Sequence, residues 1–300
     1  MPRRFYTLDV FTAQQLTGNP LAVVLDAAGL DDQRMQAIAR EFNLSETVFV
    51  SPAAQTTHKA SLRIFTPGRE VPFAGHPTIG TAVLLGLLDP NGTGTFTLEE
   101  KIGIVPCVFE KQSAEQGKAT FTLPNLPQRT GSLPDAAILA DALGLTPNDI
   151  GFANHRPAIY SAGNPFRCVP LRSRDAVIRA RPNGEAFARA FDYQNDGFTN
   201  AFVYCAEPLD PAHRFHARMF APGVGVPEDP ATGSAAAAFA GVFMDFERPV
   251  DGTHTFVIEQ GDAMGRPSRI TVLLDVADQR LRQASIGGQA VIISEGHLRV

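Results

Sequence analysis

The sequence predicts an α+β protein built from two pseudo-symmetric domains, each a barrel-like sheet around a central apolar helix. Three observations carry that expectation. First, motifs recur in order at nearly constant spacing. Arg63-Ile64-Phe65-Thr66-Pro67-Gly68 returns as Arg218-Met219-Phe220-Ala221-Pro222-Gly223, an offset of 218 − 63 = 155. His76-Pro77-Thr78-Ile79-Gly80-Thr81-Ala82 returns as Asp229-Pro230-Ala231-Thr232-Gly233-Ser234-Ala235 at 229 − 76 = 153, and Gly18-Asn19-Pro20 as Gly163-Asn164-Pro165 at 163 − 18 = 145. Ordered echoes of this kind point to a duplicated domain. Second, each half holds one segment that is small or apolar all round, 78–88 and 232–246, the pattern of a helix buried on every side. Third, many short strand-like runs surround those two segments.

Taken in order, 6–10 and 21–25 read as strands around the Gly18-Asn19-Pro20 turn. Residues 31–42 form a helix that Asp31 or Asp32 can cap, with Met35, Ile38, Ala39 and Phe42 on one face. Strands follow at 46–50 and 62–65, then the apolar helix 78–88, then strands at 95–98, 102–110 and 119–123. The Pro-, Gly- and polar-rich stretch 124–134 is the expected linker. Beyond it lie a helix over 135–143 that Gly144 can end, strands at 158–161 and 166–170, and a helix over 185–191. Strands at 201–204 and 215–220, the apolar helix 232–246 and four closing strands from 255 to 294 complete the plan. The expected domains are 1–127 and 128–287, with the C-terminal strand 288–300 able to rejoin the first.

Composition narrows the function classes. Three hundred residues suit about two domains of ~150 residues. A hydrophobic share of 44% supplies a core, and a net charge of −5 argues against a nucleic-acid surface. The basic run Arg167, Arg172, Arg174, Arg179 and Arg181 is expected to be a solvated face. No apolar run is long enough to span a membrane, and the N-terminal residues lack a signal-peptide pattern, so a cytoplasmic protein is expected. Cys107, Cys168 and Cys205 are scattered in strand-like contexts and read as buried thiols. The seven His show no ligand-like spacing, so no metal is expected.

The chemistry is expected where the copies differ. Gly75-His76-Pro77 and Thr232-Gly233-Ser234 open the two apolar helices, where unpaired N–H groups and the helix dipole favour an anion. Two such mouths facing one cleft would hold a small acid by its carboxylate. The stretch Asn43 to Val50 aligns with Asp196 to Val203, which matches Glu46 to Thr199 and His76 to Asp229. A carboxylate and an imidazole on one side, and a second carboxylate opposite, suit proton transfer. Glu46 is the expected base and then acid, raised toward neutrality by burial, with His76 and Asp229 relaying protons.

Several of these motifs together resemble the PhzF family of phenazine-biosynthesis-like isomerases. They are Gly18-Asn19-Pro20, Leu44-Ser45-Glu46-Thr47-Val48-Phe49, Phe65-Thr66-Pro67, the run from Glu70 to Thr78, the run from Glu228 to Ala235, and Gln260-Gly261 with Gly265-Arg266-Pro267-Ser268. The likeness runs from about residue 5 to 293. It implies a diaminopimelate-epimerase-like fold and a cofactor-independent isomerase, usually a homodimer. In the family's founding member the substrate is trans-2,3-dihydro-3-hydroxyanthranilate, and a Glu carries a proton across the ring. By motif position that residue is Glu46, with His76 and Asp229 in support and Gly75, Gly233 and Ser234 at the substrate. The related epimerases use two facing cysteines, and neither helix-mouth motif here contains one. Two alternatives stay open: an amino-acid racemase or epimerase using Glu46 and Asp229 as opposed bases, and a non-catalytic small-acid-binding protein.

Overall fold

The computed structural model describes all residues except 1, 91, 93 and 193–198. The chain divides into two compact units: residues 1–124 with 285–300, and residues 125–284. In the first half run β1 (Arg3–Val10), β2 (Asn19–Val24), α1 (Asp32–Phe42), β3 (Thr47–Ser51), β4 (Ala60–Phe65), β5 (Glu70–Val71), α2 (Gly75–Leu87), β6 (Gly94–Glu100), β7 (Gly103–Lys111) and β8 (Gln116–Thr122). There follow β9 (Gln128–Ser132), α3 (Ala136–Leu143), β10 (Ala158–Ser161), β11 (Pro165–Pro170), α4 (Arg174–Arg179), α5 (Gly184–Phe191), β12 (Ala201–Cys205), β13 (Phe215–Ala221) and β14 (Val226–Asp229). The chain ends with α6 (Gly233–Glu247), β15 (Gly252–Gln260), β16 (Ser268–Ala277) and β17 (Arg280–Leu298).

In the first unit the ladder closes on itself. Its order is β1, β2, β3, β4, β6, β7, β8, β17 and back to β1, an eight-stranded barrel. Closure leaves no exposed edge in this ring. β2 and β3 pair in parallel, as do β4 and β6, and the other neighbours are antiparallel. α2 packs against β1, β2, β3, β7 and β8, inside the ring, with every residue from Gly75 to Leu84 buried. Gly80 is what lets it approach, because a Cβ there would sit 2.5 Å from Leu21 and 2.7 Å from Val10. On the outer side, Met35, Ile38 and Ala39 of α1 meet Val24, Phe49 and Phe65. Asp31 caps α1, its Oδ1 accepting the Arg34 N–H at 2.7 Å.

The second unit repeats the pattern strand for strand. β10–β11 is antiparallel, β11–β12 parallel, β12–β13 antiparallel, β13–β15 parallel and β15–β16 antiparallel, and the short β14 pairs on β13 as β5 does on β4. α6 packs against β9, β10, β11 and β16, with Ala235 to Val242 buried. α3, α4 and α5 cover the other face, where Leu139, Val177, Phe187 and Phe191 pack on Val169 and Val203. Asp135 caps α3, and Gly144 ends it in the left-handed conformation, as the sequence suggests.

Three expectations change. The stretch 124–134 is not merely a linker: β9 lies within it, antiparallel to β10. Four of its five side chains are exposed, so backbone pairing forms the strand with no hydrophobic pattern to announce it. Arg167 is not part of a solvated face; it is fully buried, because Phe166 to Pro170 of β11 are covered on both sides of the sheet. The helices also begin elsewhere, at Gly75 instead of Thr78 and at Gly233 instead of Thr232.

That last change realigns the copies. Gly75 and Gly233 open the helices at an offset of 233 − 75 = 158. The carboxylates of the bidentate pairs Arg63–Glu70 and Arg218–Glu228 agree, since 228 − 70 = 158, while their arginines keep 218 − 63 = 155. The sequence echo at 153 therefore matches His76, in the first turn of α2, to Asp229, which ends β14 before α6 begins. By position along the helix, His76 corresponds to Ser234. Pro77 does not delay α2, because a first-turn residue needs no N–H for the helix ladder.

Candidate active site

In the first unit the chain delivers three polar side chains to the start of α2. α1 ends at Asn43 in a left-handed cap, and a short turn leads into β3, placing Glu46 just before the strand. Gly18 turns the chain into β2 with φ +67, where a Cβ would lie 2.4 Å from the Val10 carbonyl, and this seats Asn19 beneath the helix. His76 occupies the first turn of α2. Glu46 Oε2 lies 3.5 Å from His76 Nδ1, and Asn19 Nδ2 lies 3.3 Å from the same nitrogen. Glu46 keeps 19% of its side chain exposed, whereas His76 keeps 3% and Asn19 none. Glu46 is thus partly open to solvent with its Oε2 turned inward, and the imidazole is closed off.

Burial governs the imidazole. Desolvation drives the His76 pKa down to about 3, against a smaller opposing bond to the Pro20 carbonyl, so the ring is neutral at physiological pH. Its Nε2 is buried with no hydrogen-bond partner among the described residues. α2 itself starts from Ala74, an extended residue whose side chain cannot cap. The N–H groups of Gly75 and His76 have no intrahelical acceptor, and the positive end of the helix dipole lies there.

In the second unit, Asp229 is held in a compact network. Its Oδ2 accepts the Thr232 hydroxyl at 2.5 Å, and its carbonyl accepts Gln260 Nε2 at 2.7 Å. Gln260 Oε1 accepts the Thr232 N–H at 3.1 Å, and its Nε2 also reaches Thr232 Oγ1 at 3.1 Å. Gly261 makes this possible: at φ +81 its missing Cβ would meet the Arg266 carbonyl at 2.2 Å and the Pro230 carbonyl at 2.6 Å. Gly233 is buried and Ser234 half-buried in the first turn of α6. The aligned stretch 196–203 bears on Glu46 only in part, since 196–198 lie outside the described residues.

Other polar clusters are structural. In the first unit Glu99 accepts the N–H groups of Ala54 and Gln55 at 2.8 and 3.0 Å and His58 Nδ1 at 2.8 Å. In the second, Glu259 accepts Leu209 and Asp210 N–H at 2.6 and 2.9 Å and His213 Nδ1 at 2.7 Å. These are copies of one loop clamp. His216, Glu259 and Asp262 bring metal-type donors within 4.8 Å of one another. The clamp already engages both Glu259 oxygens, and Asp262 pairs with Arg269, which accounts for the cluster without an ion. Cys107, Cys168 and Cys205 are buried, and desolvation raises all three thiols, so none is an activated nucleophile.

Sequence reasoning missed Asn19 as a neighbour of His76, although its recurrence as Asn164 marked the turn. It also missed Glu100, buried beside α2, because Glu99-Glu100 reads as the polar end of a strand. The inward alternation on β6 was the available signal.

Known proteins share this architecture. A PhzF-family phenazine biosynthesis protein from Bacillus anthracis superposes with a TM-score of 0.88, at 29% identity and full coverage of both chains. A hydroxyproline epimerase from Agrobacterium vitis has a TM-score of 0.64 at 13% identity, covering 99% of this chain and 92% of its own, a likeness of fold alone. In sequence, an uncharacterised isomerase of Mesorhizobium japonicum is 48% identical over 298 residues, 99% of this chain and 98% of that one. The trans-2,3-dihydro-3-hydroxyanthranilate isomerase of Pseudomonas aeruginosa is 34% identical over 293 residues, 98% of each. Fold and relatives define an isomerase. The PhzC-PhzF family of phenazine biosynthesis-like proteins matches residues 8–296, and the chain belongs to it. No helix among the described residues is long and apolar enough to cross a membrane.

Proposed function

We propose that this protein is a cofactor-independent isomerase that moves a proton within a small carboxylate-bearing substrate, with Glu46 as its acid/base group. One observation carries the reading: a carboxylate with 19% of its side chain exposed lies 3.5 Å from a buried, neutral imidazole at an uncapped helix start.

The substrate carboxylate accepts the N–H groups of Gly75 and His76, where the α2 dipole favours negative charge. Glu46 then takes a proton from a substrate carbon: a C–H bond breaks, an O–H bond forms on Glu46, and the electron pair shifts the double bond. That O–H exchanges with solvent between the two steps and then gives a proton to another atom of the same molecule, so substrate and product have one composition. A neutral His76 suits this cycle, since it neither takes the proton permanently nor adds a competing positive charge. Asp229 is proposed as a second acid/base group, and Gly233 and Ser234 as further substrate contacts.

The substrate class follows the relative named for trans-2,3-dihydro-3-hydroxyanthranilate, and a dihydro-hydroxyanthranilate-type ring acid is proposed here. The test is to incubate the purified protein with that compound and follow it by NMR. Double-bond migration supports the reading. Binding without turnover, or inversion of an amino acid's α-carbon under the same conditions, overturns it in favour of a binding protein or a racemase.

A further inference from the structure

A buried carboxyl group on β6 touches the same helix start from behind. Glu100 is 8% exposed, and its Oε1 lies 2.7 Å from the hydroxyl of Thr78. That hydroxyl also lies 2.9 Å from the carbonyl of Ala74, which additionally accepts the Thr78 N–H at 3.3 Å. A hydroxyl has one hydrogen, and a carbonyl oxygen can only accept. The arrangement that gives each short contact its own hydrogen has Thr78 donating to Ala74 and Glu100, carrying a proton, donating to Thr78.

The surroundings agree. Glu100 Oε2 is buried with no hydrogen-bond partner among the described residues, tolerable for a neutral acid and costly for a carboxylate. Among the described residues no cation compensates. Lys101 turns away to Glu70, Glu99 is engaged with Ala54, Gln55 and His58, and Cys107 on β7 is a buried neutral thiol beside it. Desolvation raises the Glu100 pKa to about 8, with the Thr78 bond working weakly against it. Ala74 is the residue from which α2 departs, and its own side chain cannot cap the helix. The bond chain from Glu100 through Thr78 to Ala74 is therefore what fixes the first turn, and with it Gly75 and His76.

We propose that Glu100, in its protonated form, is a positioning residue for the isomerase site, holding the Gly75–His76 turn through Thr78 and releasing it on ionisation. The proposal rests on the proton-transfer reading above for its catalytic consequence, but not for the bond chain itself. When Glu100 ionises, the Thr78 hydrogen turns to the carboxylate and the Ala74 carbonyl loses a donor. The anion site loosens, and kcat falls more than KM rises.

Two measurements decide it. The first needs no turnover: isotope-edited infrared spectra of Glu100, and ring ¹⁵N shifts of His76, are followed from pH 6 to 10, these limits being rough brackets of the ionisation. A protonated carboxyl at neutral pH is expected, deprotonating in the alkaline range with His76 signals moving in step, and Glu100→Gln should freeze those signals in the neutral-pH position. A carboxylate already ionised at neutral pH, or His76 signals indifferent to Glu100, overturns the proposal. The second is the pH profile of isomerisation. Wild type should lose kcat toward about tenfold per pH unit above the midpoint, while Glu100→Gln, whose amide still donates to Thr78, stays within about twofold of wild type and flat. Thr78→Val should lower kcat at every pH. An alkaline limb that survives in Glu100→Gln overturns the catalytic role. If no substrate is turned over at all, the isomerase reading fails and the spectroscopic arm still decides the bond chain.

Discussion

Arg218 and Glu228 form a bidentate pair at 2.8 Å through both Nε and Nη2, while Arg218 Nη1 donates to the carbonyls of Val177, Ile178 and Ala180 at 2.9–3.0 Å. One guanidinium thereby joins β13, β14 and the C-terminal end of α4. Its counterpart Arg63 makes the same fork to Glu70 but sends Nη1 to Asp32 at the start of α1, 2.7 Å away. The duplicated fork has kept its carboxylate and exchanged the helix end it serves.

The two forks should differ in worth. Arg218 has 4% of its side chain exposed and Arg63 has 32%. Arg218→Lys cannot supply the five fixed donors, and leaves Glu228 and three carbonyls short of partners. Urea unfolding should show a loss of about 3 kcal/mol for Arg218→Lys and about 1 kcal/mol for Arg63→Lys. Equal losses would contradict the burial argument.

His76 gives a pH signature of stability. Its folded pKa lies well below the ordinary value near 6.5, so below that value the unfolded chain binds a proton that the folded chain refuses. Stability conferred by the neutral ring is whole above pH 6.5 and falls as pH drops toward 3. Between pH 7.5 and 5 this one group should cost about 2 kcal/mol, and His76→Gln should lose that much of the acid sensitivity in chemical denaturation. An unchanged acid limb in the variant would show that His76 is not the buried neutral group described.

Gly261→Ala tests the loop that holds Asp229. The added methyl meets two backbone carbonyls at 2.2 and 2.6 Å in a left-handed conformation, and neither carbonyl is the end of a flexible side chain. A destabilisation of about 3 kcal/mol or more is expected by thermal unfolding. Gly29→Ala, at φ +82 with open space around it, should cost only about 1 kcal/mol. Comparable losses at the two positions would mean that backbone conformation alone, and not the approach to Pro230, decides the first.

Much of the plan was legible because duplication writes the same physics twice. The echo of Arg63 in Arg218 marked the matching forks, and the two all-apolar segments marked the central helices. Asp31 and Gly144 announced their helix ends through capping chemistry that acts within a turn. The rest depends on contacts distant in sequence. Pro77 looked like a boundary, yet the first turn tolerates proline, so α2 reaches back to take in His76. The 153-residue echo paired His76 with Asp229, whereas the fork carboxylates and helix starts agree on 158. β9 is exposed and carries no apolar alternation, and Arg167 is buried because its strand is covered on both sides. Glu46 and His76 could be named individually, but Asn19 joins them only through the turn at Gly18, and Glu100 only through the inward face of β6.

The most direct test of the central claim is solvent-proton exchange in Glu46→Gln. With a dihydro-hydroxyanthranilate-type acid in D₂O, wild type should isomerise it with deuterium appearing at the carbon that gains the proton. Glu46→Gln, with unchanged circular dichroism and unfolding midpoint, should show neither isomerisation nor deuterium. A folded Glu46→Gln protein that still exchanges that hydrogen at the wild-type rate would contradict the account.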